Sequence, residues 1–158
     1  MQSDLHLSWT GPFTIREYLD NAISKDKIWE ERWPPDRAGV YLVSQDGWHG
    51  SPTLDIGPLY VGATTSQSAR FRTRIGDLIA DLFGFFDDND KGHHSGAIKL
   101  WYWCNEKRIE PFDLYLAWAH ADCIRCAELA LFHRFPKRKT DGIGLLNMKR
   151  PPRCLEHP

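Results

Sequence analysis

The sequence lacks any long apolar run. No stretch approaches the roughly 18 to 20 uninterrupted apolar residues that a membrane helix needs, and the opening MQSDLHLSWTGPF carries no basic segment followed by an apolar one. No membrane span and no secretory leader are therefore expected, and a soluble, cytoplasmic chain is. Internal repeats and Gly/Ser-rich linkers are also missing, so 158 residues suit a single domain with a real core. With 20 Lys and Arg against 21 Asp and Glu, the net charge of −1 excludes a chain that is basic throughout. Large apolar and aromatic side chains, by contrast, are plentiful: 42% of residues are hydrophobic, 13% aromatic, and seven are Trp. Such a composition excludes a disordered or low-complexity chain, because that many rings need a place to be buried.

Charge distribution says more than the total. Between Arg134 and Arg153 lie seven basic residues (Arg134, Lys137, Arg138, Lys139, Lys149, Arg150 and Arg153) against one acid, Asp141. Arg70, Arg72 and Arg74 form a second cluster, while Asp87, Asp88 and Asp90 gather the acids elsewhere. Segregated charge of this kind can present one positive face to phosphate, or be ordinary solvated surface. Cysteines are few. Cys123 and Cys126 make a C-x-x-C, a spacing used by metal sites and redox pairs, but no second C-x-x-C accompanies it and Cys104 and Cys154 are scattered. Reduced, packed thiols are the expectation, with a zinc site on Cys123 and Cys126 as the competing one.

Along the chain, residues 12–30 place Ile15, Tyr18, Leu19, Ala22 and Ile23 at helical spacing, started by Pro12 or Thr14 and stopped by the WPP at Trp33–Pro35. AGVYLVSQDG reads as a strand ended by Asp46-Gly47, and GPLYVGA as a second, giving an antiparallel hairpin with a long connection. From Ser68 the period becomes helical: Phe71, Ile75, Leu78, Ile79, Leu82 and Phe86 form one stripe, with Arg70, Arg74 and Asp77 on another face. Ser95 to about Asn105 reads as a helix, although its aromatics would also suit a strand. PFDLYLAWA alternates, with Phe112, Leu114, Leu116 and Trp118 on one face, and makes a third strand. A last helix is expected from Asp122, as N-cap, to about Phe135 before Pro136. The result is a small α/β (α+β) domain: a three-stranded, mainly antiparallel sheet flanked by helices.

Several residues in this frame carry chemistry. Glu128 lies in CAELALF, the most apolar part of its helix, with Ile124, Leu131 and Phe132 one turn away. A carboxylate there is costly to desolvate without a partner, and either a divalent cation or a buried arginine would serve. Tyr41 and Tyr60 sit mid-strand beside Gly39 and Gly62, which mark bends or close backbone approaches. Their phenols ionise near 10, so a basic role at neutral pH needs cationic help, for which Arg70 or Arg74 is available. His93 and His94 precede a helix start and suit proton transfer, or simple surface exposure.

Taken together, these elements resemble the GIY-YIG nuclease superfamily. Gly39-Val40-Tyr41 and Tyr60-Val61-Gly62 are similar to its two signature tripeptides. Arg70 lies ten residues past Tyr60, where members place the arginine of the first catalytic helix. His94-Ser95 followed by Ile98-Lys99-Leu100 resembles a stretch of phage homing-type members, Glu128 matches the metal-binding glutamate, and Asn147 in Gly144-Leu145-Leu146-Asn147 matches a late asparagine. The likeness spans about residues 37–150. The chain departs from the pattern in Val40 for the central Ile, in a longer loop between the tyrosines holding Trp48, His49 and Asp55, and in Arg74 where members often carry His or Lys. An arginine can polarise a neighbour but cannot take its proton.

The resemblance implies a nuclease domain over residues 37–150, preceded by a helical extension (1–36) and followed by a short tail (151–158). It implies a Mg2+- or Mn2+-dependent endonuclease acting on DNA, with RNA left open. Glu128 would hold the metal, Arg70 would offset charge on the phosphate, and Tyr41 would be the general base. Tyr60 and His94 would orient or relay protons, and Asn147 would hold the tyrosines or phosphate. Arg72, Arg74, Lys137, Arg138, Lys139, Lys149 and Arg150 would track the nucleic-acid backbone, giving salt-dependent and largely sequence-independent affinity. Two other readings compete: a nucleic-acid-binding module of the same fold without cleavage, and a structural protein organised by zinc on Cys123 and Cys126.

Overall fold

The computed structural model describes residues 6–28 (main chain only from 23), 34, 37–64, 70–87, 89, 92, 94–139, 142–147 and 149–155. Among them, in chain order, are strand β1 (Trp9–Thr14), helix α1 (Ile15–Ile28), strands β2 (Gly39–Ser44) and β3 (Pro58–Ala63), helices α2 (Phe71–Leu82) and α3 (Ser95–Lys107), strand β4 (Tyr115–His120) and helix α4 (Ile124–Arg134). Short 3-10 turns cover Leu54–Ile56 and Pro111–Asp113. The strands form one antiparallel sheet in the order β1-β4-β2-β3. No helix among the described residues is long and apolar enough to cross a membrane.

The sheet has four strands, not three. The added strand is β1, whose WTGPFT carries a glycine and a proline where a strand pattern should run on. It sits at an edge, where a proline without an N–H is tolerated, and the register with β4 shifts between Thr10 and Phe13 to absorb the pair. Gly11 has φ of 98°, a left-handed conformation that glycine alone adopts readily. Thr14 then starts α1, its hydroxyl accepting the Glu17 N–H at 3.1 Å.

Strand β2 is the centre of the molecule, with all six residues buried. One face of the sheet packs Tyr41, Val43, Leu116 and Trp118 against Ile15 and Tyr18 of α1, Phe71, Ile75, Leu78 and Leu82 of α2, and Ala97 and Leu100 of α3. The opposite face packs Val40, Leu42, Val61 and Ala117 against Ala127 and Leu131 of α4. The stripe expected on α2 is therefore real, but the helix stops at Leu82; Phe86 lies beyond it, edge-on to Trp101 at 5.3 Å. At the start of α4 the N-cap is Cys123, not Asp122: its sulfur accepts the Cys126 N–H at 3.3 Å.

The outer edge of β3 is closed by the chain after α4. Leu146 N–H donates to Leu59 O at 2.7 Å, and the Asn147 amide meets both main-chain groups of Val61. A strand edge that would otherwise expose unpaired N–H and C=O groups is thereby satisfied.

Candidate active site

Antiparallel pairing sets Tyr41 of β2 opposite Gly62 of β3. Glycine is required there: a Cβ on Gly62 would lie 2.1 Å from the Tyr41 ring. Two residues back along β3, Tyr60 lies against Gly96 of α3, where a Cβ would come within 2.2 Å of its ring. The two phenol rings are 6.3 Å apart, and the His94 imidazole stands 6.1 Å from one and 5.3 Å from the other. Two strands and one helix start thus bring three rings together.

His94 is the N-cap of α3. Its Nδ1 accepts the Ala97 N–H at 3.2 Å, and its Nε2 lies 2.5 Å from the Tyr41 hydroxyl. An Nδ1 that accepts carries no proton, so in the neutral ring the proton is on Nε2 and is donated to the Tyr41 oxygen. Burial, followed by the Arg74 charge, holds His94 down at about 4, so the ring is neutral at ordinary pH.

The phenols are pushed the other way. Burial first, then the proximity of Tyr60, raises Tyr41 well above its ordinary value; Glu128 adds to this, while Arg74 opposes it by charge and by a hydrogen bond. Burial raises Tyr60 to about 12, with Arg74 again opposing and Glu128 adding. Tyr41 oxygen therefore receives two donors, Arg74 and His94 Nε2, which offset part of the cost of ionising the phenol, although burial outweighs them.

The arginine whose charge acts on all three rings is Arg74, one of the two arginines expected to help the phenols and also one of the expected backbone-tracking residues. Arg70 occupies the N-cap position of α2, one turn earlier. Arg74 Nε is buried without a hydrogen-bond partner, while its guanidinium reaches Tyr41. Glu128 is half-buried rather than engulfed. Desolvation raises its carboxyl, with Arg125 pulling it back, and its charge is felt at both phenols. Asn147 takes a different part from the one expected: its Oδ1 accepts Val61 N–H at 3.0 Å and its Nδ2 donates to Val61 O at 2.7 Å, so it secures β3 rather than touching a phenol. His93 lies outside the described residues.

One residue of the site escaped the sequence reading. Asp81 is fully buried, and its Oδ2 accepts the His94 N–H at 2.5 Å while its Oδ1 has no hydrogen-bond partner. A Cβ on Gly92 would run into this carboxylate, so the glycine makes room for it. The available signal was position: Asp81 follows Leu78 by three, on the flank of the apolar stripe.

The expected backbone-tracking residues divide. Arg72, Lys137, Lys139, Lys149 and Arg150 are exposed, the last with its Nη2 2.8 Å from His133 Nε2. Arg138 is committed inward, its Nε donating to Gly144 O at 3.2 Å and its guanidinium 5.5 Å from the Trp103 ring centre. A separate cavity of about 740 Å3 lies between the start of β1 and the 47–51 loop, lined by Trp9, Trp48 and Tyr115 among others, and none of the expected catalytic residues lines it. No protein-family model, curated protein or solved structure matches the chain.

Proposed function

We propose that this chain is a divalent-metal-dependent endonuclease that hydrolyses phosphodiester bonds in DNA, of the single-domain GIY-YIG type. The reading rests on one observation: Tyr41, Tyr60 and His94 converge from separate elements around the Arg74 guanidinium, within reach of the Glu128 charge. Neither packing nor fold stability requires a half-buried arginine and a half-buried carboxylate whose charges act on two phenols, since each costs desolvation energy.

Glu128 supplies a hard oxygen ligand, and burial has already raised its carboxyl above the usual range, a cost that a cation would relieve. A single carboxylate suits Mg2+ or Mn2+, which keep several waters and use few protein ligands. When bound, such an ion acts as a Lewis acid on the phosphate and on the departing 3′ oxygen.

The remaining work falls to the chain. Burial keeps Tyr41 a protonated phenol at ordinary pH, and Arg74 and His94 Nε2, donating to its oxygen, offset part of that cost. To take the proton of the attacking water, the phenol first gives up its own proton to solvent. The water oxygen bonds to phosphorus, the bond to the 3′ oxygen breaks, and that oxygen takes up a proton. Arg74, permanently charged, also offsets the charge that develops on the phosphorane. Tyr60 stands beside both groups as an orienting hydroxyl, and Arg70 at the N-cap of α2 adds a further cation to offset charge on the phosphate. Asp81 is a positioning residue acting through the His94 main chain.

Nicking of supercoiled plasmid with Mg2+ tests the proposal. Wild-type protein should nick, while Glu128→Ala and Tyr41→Phe should each lose about 100-fold or more in rate. Intact plasmid with all three proteins, accompanied by a mobility shift in a gel, would instead establish the binding module that does not cut.

A further inference from the structure

Three of the four cysteines lie together at the far end of α4 from its basic C-terminus. Cys123 and Cys126 face each other across the first helical turn with sulfurs 2.7 Å apart, and Cys154 comes from the tail to within 3.5 Å of Cys123. All three sulfurs lie within 4.8 Å of one another, with Cys154 buried and the other two half-buried. All four cysteines are free thiols, as expected, and Cys104 and Cys154 are buried, but only Cys104, in the core, stands apart from the cluster.

We propose that Cys123, Cys126 and Cys154 form a zinc site that fastens the 149–155 tail to the start of α4. The geometry suits the ion. Zn–S bonds of about 2.3 Å in a tetrahedron put ligand sulfurs about 3.7 Å apart. The Cys123–Cys154 pair is already close to that, and the Cys123–Cys126 pair needs to open by about 1 Å. The chemistry suits it too, since thiolate sulfur selects zinc over the hard cations that a carboxylate such as Glu128 prefers. A redox pair would use two sulfurs and leave the convergence of the third without a role.

Spacing adds support. A C-x-x-C in one helical turn is joined by Cys154, 28 residues after Cys126, and in sequence Cys154 is followed at C-x-x-H spacing by His157, which lies outside the described residues. Binding replaces three S–H bonds by three Zn–S bonds and releases three protons to solvent, with no electron transferred. Three thiolates around Zn2+ leave one negative charge, and Arg125, whose Nη1 reaches Pro152 O at 3.4 Å, is placed beside it. The tail so held carries Lys149, Arg150 and Arg153, so the metal would add to the Arg150–His133 and Arg125–Pro152 contacts in fixing these basic side chains.

Purification of the whole chain from zinc-supplemented cells without chelator, followed by elemental analysis, should give about one zinc per chain. Replacement by Co2+ should produce sulfur-to-cobalt charge-transfer absorption in the near ultraviolet and tetrahedral visible bands. Cys154→Ser should lose about one third of that absorption and weaken zinc by more than the roughly 100-fold upper cost of losing an outer-shell partner. Cys154→His, which keeps a ligand there, and Cys104→Ser, outside the cluster, should retain the metal. In the wild-type chain, zinc should slow tryptic cleavage after Lys149 and Arg153, a readout that needs no variant. Absence of stoichiometric zinc and of the cobalt absorption, unchanged affinity in Cys154→Ser, or tryptic cleavage indifferent to zinc would overturn the proposal. None of these outcomes bears on plasmid nicking, which depends on Glu128 and Mg2+.

Discussion

Around Tyr41, the polar groups come from separate elements: His94 from α3, Arg74 from α2, Tyr60 from β3. At the start of α4, two of three thiols come from one helical turn and the third from the tail that follows the helix. The first region is fixed by packing before any ligand arrives, with glycines cut to the shape of the phenol rings. The second is half-exposed and depends on what binds it. Rigidity in the tyrosine pocket comes from the core. In the cysteine corner it would come from coordination.

Three measurements sharpen this contrast. The largest effect should come from Gly62→Ala, because the new carbon on β3 would overlap the buried ring of Tyr41 on the central strand β2. A loss of about 3 kcal/mol or more in urea unfolding is expected. In a Tyr41→Ala background the same change should cost under about 1 kcal/mol, since the obstruction is gone. Equal costs in both backgrounds would mean that the ring does not lie over Gly62.

Acid should act next most strongly. The unfolded chain protonates this imidazole near 6.5, whereas folded His94 resists until about 4. Between those values the unfolded state binds more protons, so stability falls as pH drops through that window, by on the order of 3 kcal/mol. Glu128, raised by desolvation, works in the opposite sense and offsets part of the loss. His94→Gln should flatten the profile of unfolding free energy against pH; an unchanged slope would refute a buried neutral imidazole.

Asn147→Ala should have the smallest of the three effects, about 2 kcal/mol, through loss of the two hydrogen bonds to Val61 on an edge strand. Its influence on nicking should follow stability alone and vanish at low temperature. A rate loss persisting in fully folded protein would return Asn147 to the catalytic group.

Much of the frame was readable in sequence. The stripe through Phe71, Ile75, Leu78 and Leu82, and the alternation of Leu114, Leu116 and Trp118, are local patterns with the helical and strand periods, and each marks the face that packs. The hairpin of the two tyrosine strands followed from Asp46-Gly47 and the glycines beside them. Strand β1 did not follow, because Gly11-Pro12 interrupts the alternation and only an edge position with a shifted register tolerates it. Within the candidate site, Tyr41, Tyr60, His94 and Glu128 were legible as unusual residues in apolar or glycine-flanked settings.

The amino-acid order by itself determined every helix and strand but β1, their buried faces and the residue types worth suspecting, because propensity and periodicity act over a few positions. Only the tertiary structure decided that Arg74 would be the arginine acting on the phenols, that Asp81 would hold the His94 main chain, and that Cys154 would join Cys123 and Cys126. Those choices depend on how α2, α3 and the tail pack against the sheet. Contacts between segments tens of residues apart leave no periodic trace in any one of them.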